Sequence, residues 1–246
     1  MKSVGLVALG CVLAGAAGCG GGEEQAAGTT TAASTTPSSE QRCGPGEHAL
    51  TLPNGQSARM RVTPGSGPRA LVVVLHGAGG TPAGALDAFR GGWDQPGLVL
   101  IAPASKGQTW SILRSEQDLD LESVNLALAE AYERCTIDRR RIAVGGFSDG
   151  ATYALTLGVS NGDLFPAVIG FSPGGIVAGE QRGVPRFFVS HGTQDDILPI
   201  ASAGDAVVRK LRQAGYPVTY RRFRGGHEVS TATSAAAIRW FLERAP

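Results

Sequence analysis

The run Arg141-Ile142-Ala143-Val144-Gly145-Gly146-Phe147-Ser148-Asp149-Gly150-Ala151 joins two patterns. Arg141 to Gly145 reads as a buried strand, and Ala151 to Val159 reads as a helix. Gly146-Phe147-Ser148-Asp149-Gly150 therefore falls on a sharp strand-to-helix turn. A serine there has its hydroxyl pushed out above the sheet, and flanking glycines are needed because side chains would collide with the turn. In a chain with 36 glycines the pattern alone says little. The strand before it and the helix after it make it a nucleophile elbow.

On either side of the elbow, strand and helix patterns alternate. His48 to Thr51 and Arg59 to Thr63 read as edge strands around the turn Pro53-Asn54-Gly55. Ala70 to Leu75 and Leu98 to Ala102 are continuous apolar runs, expected of parallel strands buried on both faces. A helix from Pro82 to Arg90 lies between them, and Glu116 to Arg134 has the spacing of a helix with one buried stripe. Beyond the elbow come strands Ala167 to Phe171, Arg186 to His191 and Val218 to Phe223, with helices Ala201 to Ala214 and Ser230 to Arg244. This order predicts an α/β fold with a doubly wound, mostly parallel sheet.

A serine hydroxyl needs a base to take its proton and a third group to hold that base. In sheets of this type the order along the chain is Ser, acid, His. His191-Gly192-Thr193-Gln194-Asp195-Asp196-Ile197-Leu198-Pro199 begins at the carboxyl end of a strand, so one of its aspartates is the natural acid. Gly225-Gly226-His227-Glu228 follows the last strand, and His227 is the natural base. Of the other histidines, His76 and His191 read as structural residues at strand ends and His48 as a surface residue.

On these segments the chain resembles the α/β-hydrolases, in particular their small carboxylesterase and phospholipase branch. It is similar also to secreted polyhydroxybutyrate-depolymerase and feruloyl-esterase-like proteins. The resemblance spans Cys43 to the C-terminus and implies carboxylic ester hydrolysis through an acyl-enzyme. It assigns the acid to the fifth position of the His-Gly segment, Asp195, with Asp196 in reserve. It also covers Leu75-His76-Gly77-Ala78-Gly79-Gly80 and implies an oxyanion hole from the backbone N–H groups of Ala78 and Asp149. The elbow departs from the depolymerase branch at Phe147, Asp149 and Ala151, which weakens that narrower label.

Trp110 is a candidate wall of the substrate pocket, with packing the equal alternative; Trp93 and Trp240 are assigned to packing. Asp118, Asp120 and Glu122 read as a solvated helix start. Ser172 to Pro185 is too short for a cap domain, so an open site is expected, suited to short soluble esters or ester groups on a polymer. The sequence carries no cluster of metal-ligand spacing and no P-loop lysine, so neither metal nor cofactor is expected.

With 246 residues, 42% hydrophobic and a formal net charge of +1, the chain suits one domain and lacks the electrostatic footprint of a nucleic-acid binder. Met1-Lys2, an apolar stretch Val4 to Ala17 and Gly18-Cys19 form an export signal over residues 1–19. Ala16-Ala17-Gly18-Cys19 resembles a bacterial lipobox, with Cys19 as the lipid-modified residue; cleavage without lipidation is the alternative. Residues 20–42 are rich in Gly, Thr and Ser and read as a flexible tether leading to a hydrolase domain over 43–246. The protein is thus expected at the cell envelope or outside the cell, where Cys43 and Cys135 form a disulfide or stay as separate thiols. Two further functions fit the same residues: a binding lipoprotein of this fold without catalysis, and a peptidase of this fold.

Overall fold

In the computed structural model, which describes residues 42–114, 117–177 and 179–243, the third strand explains the layering. Strand β3 (Arg69–Leu75) is buried at every position. Leu71, Val73 and Leu75 enter one core and Ala70, Val72 and Val74 the other. A strand whose alternate side chains both lose water must have helices on both faces, and each such Val or Leu contributes roughly 1.5–3 kcal/mol of burial.

The remaining elements are β1 (Gly46–Thr51), β2 (Ser57–Val62), α1 (Pro82–Ala88), β4 (Leu98–Pro103), α2 (Leu121–Arg134) and β5 (Ile137–Phe147). After them come α3 (Asp149–Ser160), β6 (Ala167–Phe171), β7 (Arg186–Gly192), α4 (Gly204–Gln213), β8 (Val218–Phe223) and α5 (Thr231–Leu242). They form an eight-stranded sheet in the order β1-β2-β4-β3-β5-β6-β7-β8. β2 is antiparallel to both its neighbours, and every pair from β4 to β8 is parallel. Helices α1 and α5 pack on one face, through Leu86, Phe89, Ile238 and Phe241. The other face carries α2, α3 and α4, through Val124, Leu128, Tyr153, Leu157, Val207 and Leu211. The doubly wound architecture is the one the sequence predicts.

Cys43, just before β1, is bonded to Cys135, which ends α2, with the Cα atoms 5.1 Å apart. The expected signal segment 1–19 with Cys19, and the expected tether 20–42 apart from Arg42, lie outside the described residues. No described helix is long and apolar enough to cross a membrane.

Among the helices that are shorter than their sequence patterns, three show why. The run ending at Arg90 stops at Ala88 and gives way to a 3-10 turn at Arg90–Gly92, where a side chain on Gly91 would meet the Thr231 carbonyl at 2.2 Å. The helix expected from Ala201 begins at Gly204, because Ser202 and Ala203 first donate their N–H groups to the Pro199 carbonyl. The largest difference is at α2, which begins at Leu121 rather than Glu116. The reading of Asp118 and Asp120 as a solvated helix start is corrected with it. Asp120 is fully buried and accepts from Lys106 N–H at 2.6 Å and Ser111 N–H at 2.6 Å. Asp118 accepts from the Tyr153 hydroxyl at 2.7 Å and from Leu121 N–H at 3.1 Å. Of the three acids only Glu122 is exposed.

Candidate active site

Ser148 stands between β5 and α3 with φ 56° and ψ −120°. A non-glycine residue keeps such a conformation only where its surroundings over-determine it. Here Ser148 N–H donates to the Phe171 carbonyl at 2.9 Å, and Thr152 N–H donates to the Ser148 carbonyl at 3.0 Å. The two glycines of the pentapeptide are required by contact. A Cβ on Gly146 would lie 2.4 Å from Gly150 backbone, and one on Gly150 would lie 2.2 Å from the Leu75 carbonyl oxygen. The turn is tight enough to seat the serine beside the end of β3, where a Cβ on Gly77 would meet Ser148 Cβ at 3.3 Å.

The loops after β7 and β8 come to the same place. Gln194 N–H donates to the Gly225 carbonyl at 2.9 Å, and Thr193 N–H to the Phe223 carbonyl at 2.8 Å, which sews the two loops together. His227 Nε2 lies 2.9 Å from Ser148 Oγ, and His227 Nδ1 lies 2.8 Å from Asp195 Oδ2. A carboxylate accepts only, so the proton sits on Nδ1, and Nε2 accepts from the serine hydroxyl. The Asp195 side chain is fully buried and that of His227 is 15% exposed. Burial opposes ionisation of Asp195. The Leu198 N–H bond at 2.8 Å, the His227 bond and the two nearby imidazoles outweigh burial and hold its carboxyl below the usual range.

The other expected residues separate clearly. Asp196 is exposed, so the reserve acid is the aspartate turned to solvent. Trp110 is fully buried, with its ring 4.8 Å from that of His76 and 5.1 Å from that of Tyr153. It donates Nε1–H to the His76 carbonyl at 2.8 Å. The pocket-wall reading of Trp110 is therefore corrected to packing against the loop after β3. His48 is half-buried, its Nε2 2.8 Å from the Gly44 carbonyl. Ala78 is exposed beside Gly77, and Asp149 is the first residue of α3. Among the described residues, their backbone N–H groups have no partner within the chain and remain available to a ligand.

His76 and His191 are both buried. His76 accepts from Ser105 N–H at its Nε2 at 3.1 Å, its Nδ1 lies 2.8 Å from the Gly77 carbonyl, and burial pushes its pKa down. His191 Nε2 lies 2.8 Å from the Leu198 carbonyl and 3.2 Å from Asp195 Oδ2. Sequence reasoning did not reach this second imidazole on the Asp195 carboxylate, nor a bond from Thr109 Oγ1 to Asp149 Oδ2 at 2.5 Å. The i, i+4 spacing of His191 and Asp195 was the available signal for the first; the second has none.

Among the described residues no cluster of three or more His, Cys, Asp or Glu is placed to hold a metal ion. Two clefts of about 480 and 520 Å³ lie elsewhere, one along α4 and β8 and one at the amino ends of β6 and β7, and neither is lined by Ser148, Asp195 or His227. The described residues between β6 and β7 form neither helix nor strand, and Glu180 to Val184 are exposed.

A family model described as phospholipase/carboxylesterase matches residues 111–245, more than half of the chain. Among solved structures, that of the esterase PE8 superposes with a TM-score of 0.64 at 22% identity, covering 76% of this chain and 98% of that one. A phospholipase/carboxylesterase from Dyadobacter fermentans gives 0.58 at 22% identity, covering 79% and 99%. A fluorophosphonate-binding serine hydrolase of Staphylococcus aureus gives 0.66 at 14% identity, covering 82% and 100%. These structures share the α/β-hydrolase fold with this chain. No curated protein matches it in sequence. The chain belongs to the phospholipase/carboxylesterase family and is a carboxylic ester hydrolase.

Proposed function

We propose, with that membership as premise, that Ser148, His227 and Asp195 are the catalytic triad of a serine esterase acting on short soluble esters or ester groups carried by a polymer. The observation that carries this is the unbroken hydrogen-bonded line from Ser148 Oγ through both nitrogens of His227 to the buried Asp195 carboxylate. Ser148 Oγ attacks the ester carbonyl while His227 Nε2 takes its proton, and Asp195 stabilises the imidazolium that forms. The N–H groups of Ala78 and Asp149 receive the negative oxygen of the tetrahedral intermediate. Collapse expels the alcohol, which takes the proton from His227. A water then repeats the sequence on the acyl-enzyme and frees the acid and Ser148.

The substrate class is supported by the absence of helix and strand among the described residues of 172–185. A long acyl chain needs walls that exclude water, whereas a short ester or an ester on a large surface does not. Turnover of p-nitrophenyl acetate and butyrate tests the nucleophile: Ser148→Ala should lose roughly a millionfold in kcat. Turnover that survives the substitution overturns the assignment. We also place the protein at the cell envelope through Cys19, on the strength of the signal pattern in residues 1–19. Cys19→Ser should then move it from the membrane fraction to the soluble fraction; retention at the membrane refutes the anchor.

A further inference from the structure

An oxyanion hole works only if its donors already point at the place where charge will develop. Here the two proposed donors come from different parts of the chain, Ala78 from the loop after β3 and Asp149 from the start of α3. The Leu75–Gly146 register and the packing of Gly150 on the Leu75 and His76 carbonyls set the two segments side by side, but the aim of the Ala78 N–H and the direction of the Asp149 side chain need further partners. The loop after β4 reaches both.

On the Ala78 side, Gly79 N–H donates to the Gln108 carbonyl at 2.5 Å, and Ser105 N–H donates to His76 Nε2 at 3.1 Å. Trp110 Nε1–H donates to the His76 carbonyl at 2.8 Å. On the elbow side, Thr109 Oγ1 donates to Asp149 Oδ2 at 2.5 Å. The loop itself is closed from below by buried Asp120, whose two carboxylate oxygens accept from Lys106 N–H and Ser111 N–H, one on each flank. Ser105 Oγ adds a bond to the Gly107 carbonyl at 2.6 Å.

We propose that residues 105–110 form a clamp that sets the oxyanion hole, and that Thr109 is its positioning residue, acting through the Asp149 side chain. The inference rests on the triad reading above. The physical need is specific to Asp149. A carboxylate at the first position of a helix readily folds back onto nearby backbone N–H groups. In this site those N–H groups include the one that must serve the substrate oxygen. A loose carboxylate there also brings like charge towards the forming oxyanion. Thr109 ties the carboxylate sideways to the clamp and leaves the N–H free.

The test compares Thr109→Val, Thr109→Ser, Asp149→Ala and the Thr109→Val/Asp149→Ala double variant in p-nitrophenyl butyrate turnover and thermal melting. Thr109→Val should lower kcat about 10- to 100-fold with KM within about twofold, because a misaimed donor acts on the transition state and not on ground-state binding. Thr109→Ser, which keeps the hydroxyl, should recover most of the rate. In the Asp149→Ala background Thr109→Val should cost nothing further, since the partner is already gone. Wild-type kcat in Thr109→Val, an undiminished cost in the Asp149→Ala background, or a loss matched by collapse of the melting transition would each overturn the clamp. If Ser148→Ala is inactive and Thr109→Val is unimpaired, the clamp alone fails; if Ser148→Ala stays active, the triad reading fails first.

Discussion

His76-Gly77 at the end of β3 and His191-Gly192 at the end of β7 are the same dipeptide at the same end of one sheet, yet their rings carry the proton on opposite nitrogens. His76 accepts from Ser105 N–H at Nε2, so its proton is on Nδ1, towards the Gly77 carbonyl. His191 faces two acceptors at Nε2, the Leu198 carbonyl and Asp195 Oδ2, so its proton is there. Its Nδ1 is buried with no partner among the described residues, against Gly204, where a Cβ would come within 2.6 Å. The glycines differ in the same way. Gly77 lets the loop after β3 lie against Ser148, whereas a Cβ on Gly192 would meet the Gly226 carbonyl of the His227 loop at 2.2 Å. On the proposed assignment, one corner places the oxyanion donors and the other places the acid and the base.

The sharpest way to break the second corner is Asp195→Asn, which keeps the shape and reverses the tautomer demanded of His227. It should lower kcat by roughly a thousand- to ten-thousandfold in ester turnover. The first corner is broken by His76→Phe, which keeps a ring of similar size but strands Ser105 N–H and frees the clamp. The expected loss is about a hundredfold in kcat, on the scale of one misplaced oxyanion donor. His191→Phe should cost less, about tenfold, because Asp195 keeps its bonds from Ile197, Leu198 and His227. Equal losses in the two histidine variants would mean that the corners are interchangeable, contrary to the distances.

A smaller effect appears in stability against pH. Asp195 is held below its ordinary carboxyl value in the folded chain. The stability it contributes is therefore complete above the unfolded carboxyl pKa and is lost as pH falls through the depressed folded value. Asp118 acts in the opposite sense. Burial raises its carboxyl value against the pull of Tyr153, so its contribution is complete below the unfolded carboxyl pKa and is lost as pH rises through the raised folded value. Urea midpoints between about pH 3 and 7 should show a flatter acid limb for Asp195→Asn. An unchanged acid limb would show that Asp195 is not a source of the dependence.

The fold was legible because its signals are local. A six-residue apolar run from Ala70 to Leu75, a helix with a buried stripe and a glycine-flanked serine each announce themselves within a dozen residues. Ser148 and His227 could be picked out by type and order, since the chain holds only four histidines and only one follows the last strand, whereas order alone left two aspartates open. The misreadings arose where acids leave the helix pattern they imitate. Asp118 and Asp120 look like a favourable first turn, but a buried carboxylate beside unpaired backbone N–H groups gains more by closing a loop. Trp110 looked equally suited to a pocket wall or a core, because an indole fits both until the partner of its N–H is known.

Periodicity and turn chemistry, written into the chain itself, settled the layered sheet and the sharp turn that exposes Ser148. Packing alone settled which aspartate faces His227, where each buried imidazole keeps its proton, and how the loop after β4 ties Thr109 to Asp149. Backbone preferences act over neighbouring residues and can be read in order. Hydrogen-bond partners some 30 to 80 positions apart exist only once the sheet has brought the strand ends to a common edge.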